Sequence, residues 1–225
     1  MHIEIKNLTK IISKNTVLED INIRMEYGKI YGLRGRNGSG KTMLMRAICG
    51  LINPTSGEVI INGESLGKDI SFPRSIGALI ENPGFISSYS GYKNLKILAD
   101  IQGKVGNDRI REVLEIVGLD PADKKKFKKY SLGMKQKLGI AAAILEKPEI
   151  IVLDEPINAL DESSVKIIRG ILQKYSNEGA LILVSCHDSE ELEYLSDEIY
   201  VIEEGRIKEH KILKEGILEN EKSKI

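Results

Sequence analysis

Eight consecutive residues have the types and the spacing of a loop that binds phosphate. The segment Gly35–Thr42 fits the pattern G-x-x-x-x-G-K-[ST]. A short apolar run at 29–33 comes before it, and apolar residues at helical spacing follow at 43–49. In a strand–loop–helix order, backbone N–H groups and the helix N-terminus can surround an anion. The residues predicted to bind a nucleotide phosphate are Gly35, Arg36, Asn37, Gly38, Ser39, Gly40, Lys41 and Thr42.

The loop residues have separable chemical roles. Its glycines let the backbone approach oxygen atoms closely. The Lys41 ammonium would reach the β- and γ-phosphates, and the Thr42 hydroxyl would ligate Mg²⁺. The alternative is a glycine-rich turn with a solvated lysine, which leaves the flanking strand and helix unexplained.

Two adjacent carboxylates follow a second apolar run. Residues 150–153 are continuously apolar, as in a parallel strand buried on both faces, and Asp154 and Glu155 come next. Ligands of open α/β sheets bind at the carboxyl ends of strands. Asp154 therefore suits the Mg²⁺ shell, and Glu155 suits a general base that polarises water. The alternative is that both acids cap the next helix, since Pro156 follows.

One histidine occupies an equivalent position after another apolar strand. His187 follows the run at 180–184, so it is expected near the same sheet edge. A neutral imidazole there can hydrogen-bond the γ-phosphate and hold Glu155 and the water in place. A lone histidine at a strand end is usually structural, and only its relation to the other motifs favours a functional role.

The composition is that of one ordinary α/β domain. The chain has 225 residues, of which 41% are hydrophobic and 29% charged. Basic and acidic residues both number 33, so nothing indicates bulk nucleic-acid binding. The two cysteines lie in apolar patterns, which predicts reduced thiols and the cytosol. No signal peptide or membrane-spanning run is evident, so any membrane role is expected to require a partner.

The pattern of elements divides the chain into a core and an insertion. Residues 1–84 and 148–212 are predicted to form an α/β core with a β subdomain. Residues 85–147 are predicted to be a helical insertion, and 213–225 a polar tail. The lysine-rich run at 124–129 is interpreted as a solvated helix face. The open alternative is a surface for anionic lipid headgroups or for an acidic loop of a partner.

Taken together, these motifs resemble the ATP-binding subunit of ABC transporters over nearly the whole chain. The resemblance implies a P-loop NTPase with a RecA-like, mostly parallel core sheet, an N-terminal antiparallel β subdomain and an inserted α-helical subdomain. It also implies an ATPase that uses ATP and Mg²⁺. The stretches that carry it are 35–42, the loop at Glu81, 131–136, 150–156, 158–161 and His187.

One of these stretches resembles the signature loop of the family, which faces the ATP held by a second copy. Two nucleotides would then be sandwiched between two subunits, and the resemblance implies that Asp161 bridges the two sites. A serine hydroxyl, nearby N–H groups and a helix N-terminus are suited to an anion. The residues of this signature are Ser131, Leu132, Gly133, Met134, Lys135 and Gln136.

Two further positions depart from the family pattern. The aromatic residue that usually stacks on adenine falls near Ile12, which offers only an aliphatic contact. Where glutamine is common, the chain has Glu81, whose carboxylate can still reach Mg²⁺ or the attacking water.

The signature and the stretch 76–85 resemble the bacitracin-resistance and lantibiotic-immunity branch of exporters. This implies a motor subunit at the cytoplasmic face of the membrane. It would dimerise with a second ATP-binding subunit, drive a transmembrane permease and export an antimicrobial peptide. A socket for a permease helix is expected near Phe85, Ile86 and Tyr89. The alternatives are export of a lipid, drug or ion, or a soluble ABC ATPase not coupled to transport.

Overall fold

The structure is a computed structural model, and it describes residues 1–81, 83–186 and 189–213. These residues form two β-sheets with helices packed against them. The first sheet is antiparallel and has the order β2-β1-β4-β5. Its strands are β1 (His2–Ile12), β2 (Asn15–Glu26), β4 (Ser56–Ile61) and β5 (Glu64–Ser65). Buried and exposed positions alternate along much of β1 and β2, because one face of the sheet packs on the core.

The second sheet has the order β10-β9-β3-β8-β7-β6 and carries the predicted motifs. All of its neighbouring strands are parallel except β9 and β10. Its strands are β3 (Ile30–Arg34), β6 (Ile76–Leu79), β7 (Ile150–Asp154), β8 (Leu181–Ser185), β9 (Glu198–Glu203) and β10 (Arg206–Ile212).

The helices fall into two groups. The core group is α1 (Lys41–Ile48), α5 (Glu162–Asn177) and α6 (Ser189–Leu195). The helices in the segment predicted to be an insertion are α2 (Gly91–Gln102), α3 (Asn107–Ile116) and α4 (Leu132–Ala143).

Both faces of the second sheet are covered, which explains why its central strands are apolar throughout. In β7, Ile150 and Val152 pack with the antiparallel sheet and α1. Ile151 and Leu153 face the opposite way and pack with α4 and α5. Every residue of β7 and β8 is buried, as expected for parallel strands between two layers.

The predicted fold class is confirmed, while one local expectation is wrong. The lysine-rich run at 124–129 contains no α-helix, and only Phe127–Lys129 form a short 3₁₀ turn. The Phe127 N–H donates to the Tyr89 carbonyl at 2.7 Å, and the Phe127 ring is buried. This hydrogen bond with Tyr89 holds the run at 124–129 in an extended conformation. The lysines of the run are therefore exposed to solvent on a loop and not on a helix. The predicted tail lies outside the described residues beyond 213.

Candidate nucleotide site

The phosphate loop lies between β3 and α1, as the sequence predicts. Gly38 and Gly40 have φ angles of +78° and +111°, a region that side chains disfavour. A Cβ at Gly40 would lie 2.9 Å from Leu18 Cδ2, and one at Gly35 would collide with the Ile202 carbonyl. The glycines therefore let the loop pack against β2 and β9, while residues 36–38 remain exposed to a ligand.

The Lys41 side chain is already held in a position suited to binding phosphate. The residue is buried, and its ammonium donates to the carbonyl oxygens of Gly35 at 2.6 Å and Arg36 at 3.2 Å. An ammonium has three donors, so one remains for an incoming oxygen. Two neutral carbonyls do not neutralise its charge, and this favours an anion in the loop.

Thr42 and Asp154 bring the two halves of the site together. The Thr42 hydroxyl donates to Asp154 Oδ2 at 2.7 Å across 112 residues of sequence. The other carboxylate oxygen, Oδ1, accepts from the Ser185 hydroxyl at 2.5 Å. A hydroxyl and a carboxylate are oxygen donors, the kind Mg²⁺ requires. The pair therefore fits the predicted metal position.

Glu155 lies at the edge of the same cleft. The cleft has a volume of about 300 Å³ and is lined by loop residues together with Asp154 and Glu155. Glu155 has a left-handed backbone, with φ of +53°. Asn158 donates from Nδ2 to Glu155 Oε2 at 2.6 Å. The cleft thus combines the Lys41 ammonium with the carboxylates of Asp154 and Glu155. This is the arrangement needed to hold a metal-bound phosphate and activate water.

Glu81 is paired elsewhere in this structure. It follows β6 with φ of +59°, and its Oε1 lies 2.9 Å from Nη2 of Arg46 on α1. It does not line the cleft between the phosphate loop and Asp154. Its predicted roles toward Mg²⁺ and water remain predictions.

Ile12 also stays outside that cleft. It ends β1, pairs with Asn15 across the hairpin and is 41% exposed. Val17 on β2 lines the cleft instead. Nothing in the local sequence distinguishes Val17, because it reaches the loop only through packing of the two sheets.

The signature segment lies at the N-terminus of α4. Ser131 caps α4 by accepting from Met134 N–H at 3.2 Å, and both Ser131 and Leu132 are exposed. Gly133 lies against the loop that follows Glu155, since a Cβ there would be 3.0 Å from the Ala159 carbonyl. None of these residues lines the cleft of their own chain.

Asp161 has a structural task in the single chain. It caps α5, accepting from Ser164 N–H at 2.7 Å and from the Ser163 hydroxyl at 2.8 Å. The hydrogen bonds from Ser164 are the main reason why the pKa of Asp161 falls to about 2, so its carboxylate is charged at neutral pH. Its predicted role as a bridge between two sites remains a prediction.

His187 lies outside the described residues, as does Asp188. The strand that leads to it, β8, runs between β3 and β7, which carry the loop and the carboxylates. Ser185 is a site residue that the sequence reasoning missed. It is opposite Asp154 in the parallel register, so alignment of the two strand ends was the available signal.

The fold and this cleft define a P-loop NTPase, and comparison with known proteins narrows the class. A family profile described as ABC transporter matches residues 18–158. The chain belongs to the ABC transporter family, as an ATP-binding subunit with ATPase activity. Among the described residues, no helix is long and apolar enough to cross a membrane.

Individual relatives agree with this assignment. The uncharacterized ABC transporter ATP-binding protein YybJ of Bacillus subtilis is 48% identical over 91% of this chain and 94% of its own. The bacitracin transport ATP-binding protein BcrA of Enterococcus faecalis is 46% identical over 92% of this chain and 68% of its own. The lantibiotic transport ATP-binding protein SrtF of Streptococcus pyogenes is 39% identical over 91% and 88%. These relatives confirm the predicted resemblance to that branch.

Solved structures share the fold. A dimeric ATP-binding cassette bound to ADP and Pi superposes with a TM-score of 0.86 at 23% identity, covering 95% of this chain and all of the other. The ATP-binding subunit of an ABC transporter gives 0.85 at 28% identity, covering 95% and 90%.

Proposed function

We propose that Glu155 is the general base of ATP hydrolysis, and that the phosphate loop and Asp154 hold the nucleotide for it. The observation that carries this proposal is the convergence of Lys41, Asp154 and Glu155 on one cleft. Lys41 would donate to the β- and γ-phosphate oxygens. Glu155 would accept a proton from water as its oxygen attacks the γ-phosphorus, and the leaving group would be ADP.

Thr42 and Asp154 would hold Mg²⁺. The ion would neutralise negative charge on the phosphate oxygens. His187 would donate to the γ-phosphate and orient the water, a role that rests on its position after β8. Exclusion of bulk water would come from a second subunit that covers the open side of the cleft.

The proposed dimer is supported by the exposed signature segment. Ser131 and Leu132 face solvent and lie outside their own cleft, so they are free to meet the phosphate of a second copy. Their helix N-terminus favours a negative charge. Two chains related by a two-fold axis would each complete the site of the other.

Ser131→Arg should therefore abolish ATP-dependent dimerisation and lower ATPase activity at least about 10-fold, because a bulky side chain replaces the hydroxyl at the shared phosphate. Light scattering with ATP and a Glu155→Gln background would measure the dimer, and calorimetry would show unchanged binding to the monomer. Ser71→Arg is the matched control, since Ser71 is exposed and far along the chain from the signature. Dimers formed equally well by Ser131→Arg would contradict the sandwich.

The proposed permease contact lies in an apolar groove between the core and the helices of the 85–147 segment. The groove has a volume of about 490 Å³, and its apolar walls include Leu51 and Phe72 on one side and Leu98 and Ile101 on the other. This set differs from the socket expected from the sequence. Phe85 packs on Phe127 with ring centroids 5.2 Å apart, and Ile86 and Tyr89 do not line the groove. An amphipathic helix of a membrane protein suits such a groove.

The proposed cargo is an antimicrobial peptide of the bacitracin or lantibiotic type. The support is that relatives named for bacitracin and lantibiotic transport align over about nine-tenths of this chain. The motor would work from the cytoplasmic face of the membrane, attached through its permease.

The substitution Ile101→Glu tests both the proposed permease contact in the groove and the proposed cargo. A charge in the apolar groove would weaken copurification with a co-expressed candidate permease about 10-fold or more, while ATP binding remains intact. Protection of sensitive cells from bacitracin should fall with it. Ile86→Glu is the matched control, an exposed isoleucine outside the groove. If Ile86→Glu disrupts the complex and Ile101→Glu does not, the socket expected from the sequence is correct and the groove is not the contact.

A further inference from the structure

Glu155 has a backbone conformation that needs support. Its φ of +53° is uncommon for a residue with a side chain, and such residues persist where their surroundings hold them. The residue therefore depends on contacts that fix its main chain, and both of its main-chain polar groups have such a contact.

Two side chains from different parts of the fold provide these contacts. The Glu155 N–H donates to the Ser185 hydroxyl at 3.0 Å, at the end of β8 in the core. The Glu155 carbonyl accepts from Gln136 Nε2 at 2.8 Å, and Gln136 lies on α4. Ser185 is fully buried, so its hydroxyl has no access to water as a substitute partner.

The Ser185 hydroxyl also fixes Asp154. It donates its one hydrogen to Asp154 Oδ1, while Asp154 Oδ2 accepts from Thr42. One hydroxyl thus links the carboxylate proposed to hold the metal with the backbone of the proposed base. A hydrogen-bonded chain results, running from Gln136 through Glu155, Ser185 and Asp154 to Thr42.

We propose that Ser185 and Gln136 are positioning residues for hydrolysis, which hold Glu155 from the core and from α4 respectively. The inference rests on the proposed role of Glu155 as general base. Asn158 N–H also donates to the Glu155 carbonyl at 3.2 Å, so Gln136 adds a contact from α4 to one made within the loop. The consequence of the proposal is that docking of α4 on the loop after β7 contributes to the position of the base. The signature segment begins the same helix, so the surface that would meet a second subunit is linked to the base through the hydrogen bond from Gln136.

Removal of either contact should affect turnover more than binding. Ser185→Ala should lower kcat about 10- to 100-fold, because a displacement of the base by a fraction of an ångström is costly. Gln136→Glu keeps the size of the side chain but replaces the donor with a carboxylate facing a carbonyl, and should lower kcat about 10-fold. Nucleotide affinity measured in EDTA should change less than about threefold in both, because neither residue contacts the phosphate loop.

Matched controls separate positioning from general damage to the fold. Ser196 is also fully buried, and its hydroxyl has no partner within the described part of the chain, so Ser196→Ala should leave kcat within about twofold of wild type. Gln173→Glu on α5 controls for the change of charge. Ser185→Thr, which keeps the hydroxyl, should recover turnover relative to Ser185→Ala, and urea unfolding would report the stability of each variant.

The outcomes distinguish this inference from the proposed function. If Glu155→Gln is inactive while Ser185→Ala and Gln136→Glu keep kcat within twofold of wild type, the base stands and the positioning role is overturned. If Ser185→Ala loses activity only as far as Ser196→Ala does, the role is likewise overturned. Normal turnover by Glu155→Gln would overturn the proposed role of Glu155 as the general base. Should Ser185→Ala fail to fold, Gln136→Glu decides the inference: a loss of kcat with ATP-dependent dimers retained in light scattering supports positioning, and a loss of kcat together with the dimers overturns it.

Discussion

Glu155→Gln is expected to bind ATP as the wild type does and to lose about 10²–10⁴-fold in kcat. The amide has nearly the shape of the carboxylate, and its oxygen can still accept the Asn158 donor that lies 2.6 Å from Glu155 Oε2. The amide is not basic, however, so it cannot take the proton from the attacking water. The loss should therefore fall on the chemical step, with the affinity for nucleotide retained.

Phosphate release in a coupled assay would measure turnover, and calorimetry with ATP would measure binding. Glu162→Gln is the control, because Glu162 undergoes the same change of charge in an exposed ion pair with Lys166 at 2.9 Å. Retained binding with trapped dimers in light scattering would fit the proposal. Hydrolysis near the wild-type rate would exclude Glu155 as the base.

Lys41→Met is expected to weaken ATP binding about 10- to 100-fold, and Lys41→Ala at least as much. Hydrogen bonds to charged groups contribute about 1.5–3 kcal/mol, and the ammonium is the buried cation of the loop. Methionine keeps much of the apolar stem of the lysine inside the fold, so its effect reports mainly the lost charge. The carbonyls of Gly35 and Arg36 would also lose their donor, which should loosen the loop.

Calorimetric titration with ATP and with ADP would measure the affinity for each nucleotide. The expected loss concerns a phosphate contact, so the contacts of the protein with adenine should be unchanged. Lys166→Met is the matched control, an exposed lysine in an ion pair on α5. Unchanged ATP affinity in Lys41→Met would contradict the assignment of the loop.

Much of the fold follows from periodicity that is local in the sequence. The continuous apolar runs at 150–153 and 180–184 need burial on both faces, and the structure provides it with layers on either side of the sheet. The helix predicted for the lysine-rich run at 124–129 is absent for a non-local reason. A backbone pairing with Tyr89 holds this run extended, and no pattern within the run encodes that contact.

The sequence alone is enough to predict the phosphate loop, because the pattern of Gly35–Thr42 depends on residue types and spacing within one short segment. The apolar run at 150–153 likewise predicts that Asp154 and Glu155 follow a buried strand. Which other side chains hydrogen-bond to these two residues depends on the tertiary fold. Thr42 and Asp154 are 112 residues apart, and Ser185 and Gln136 reach Glu155 from different elements, so only the packing of parallel strands and of α4 brings them within hydrogen-bonding distance.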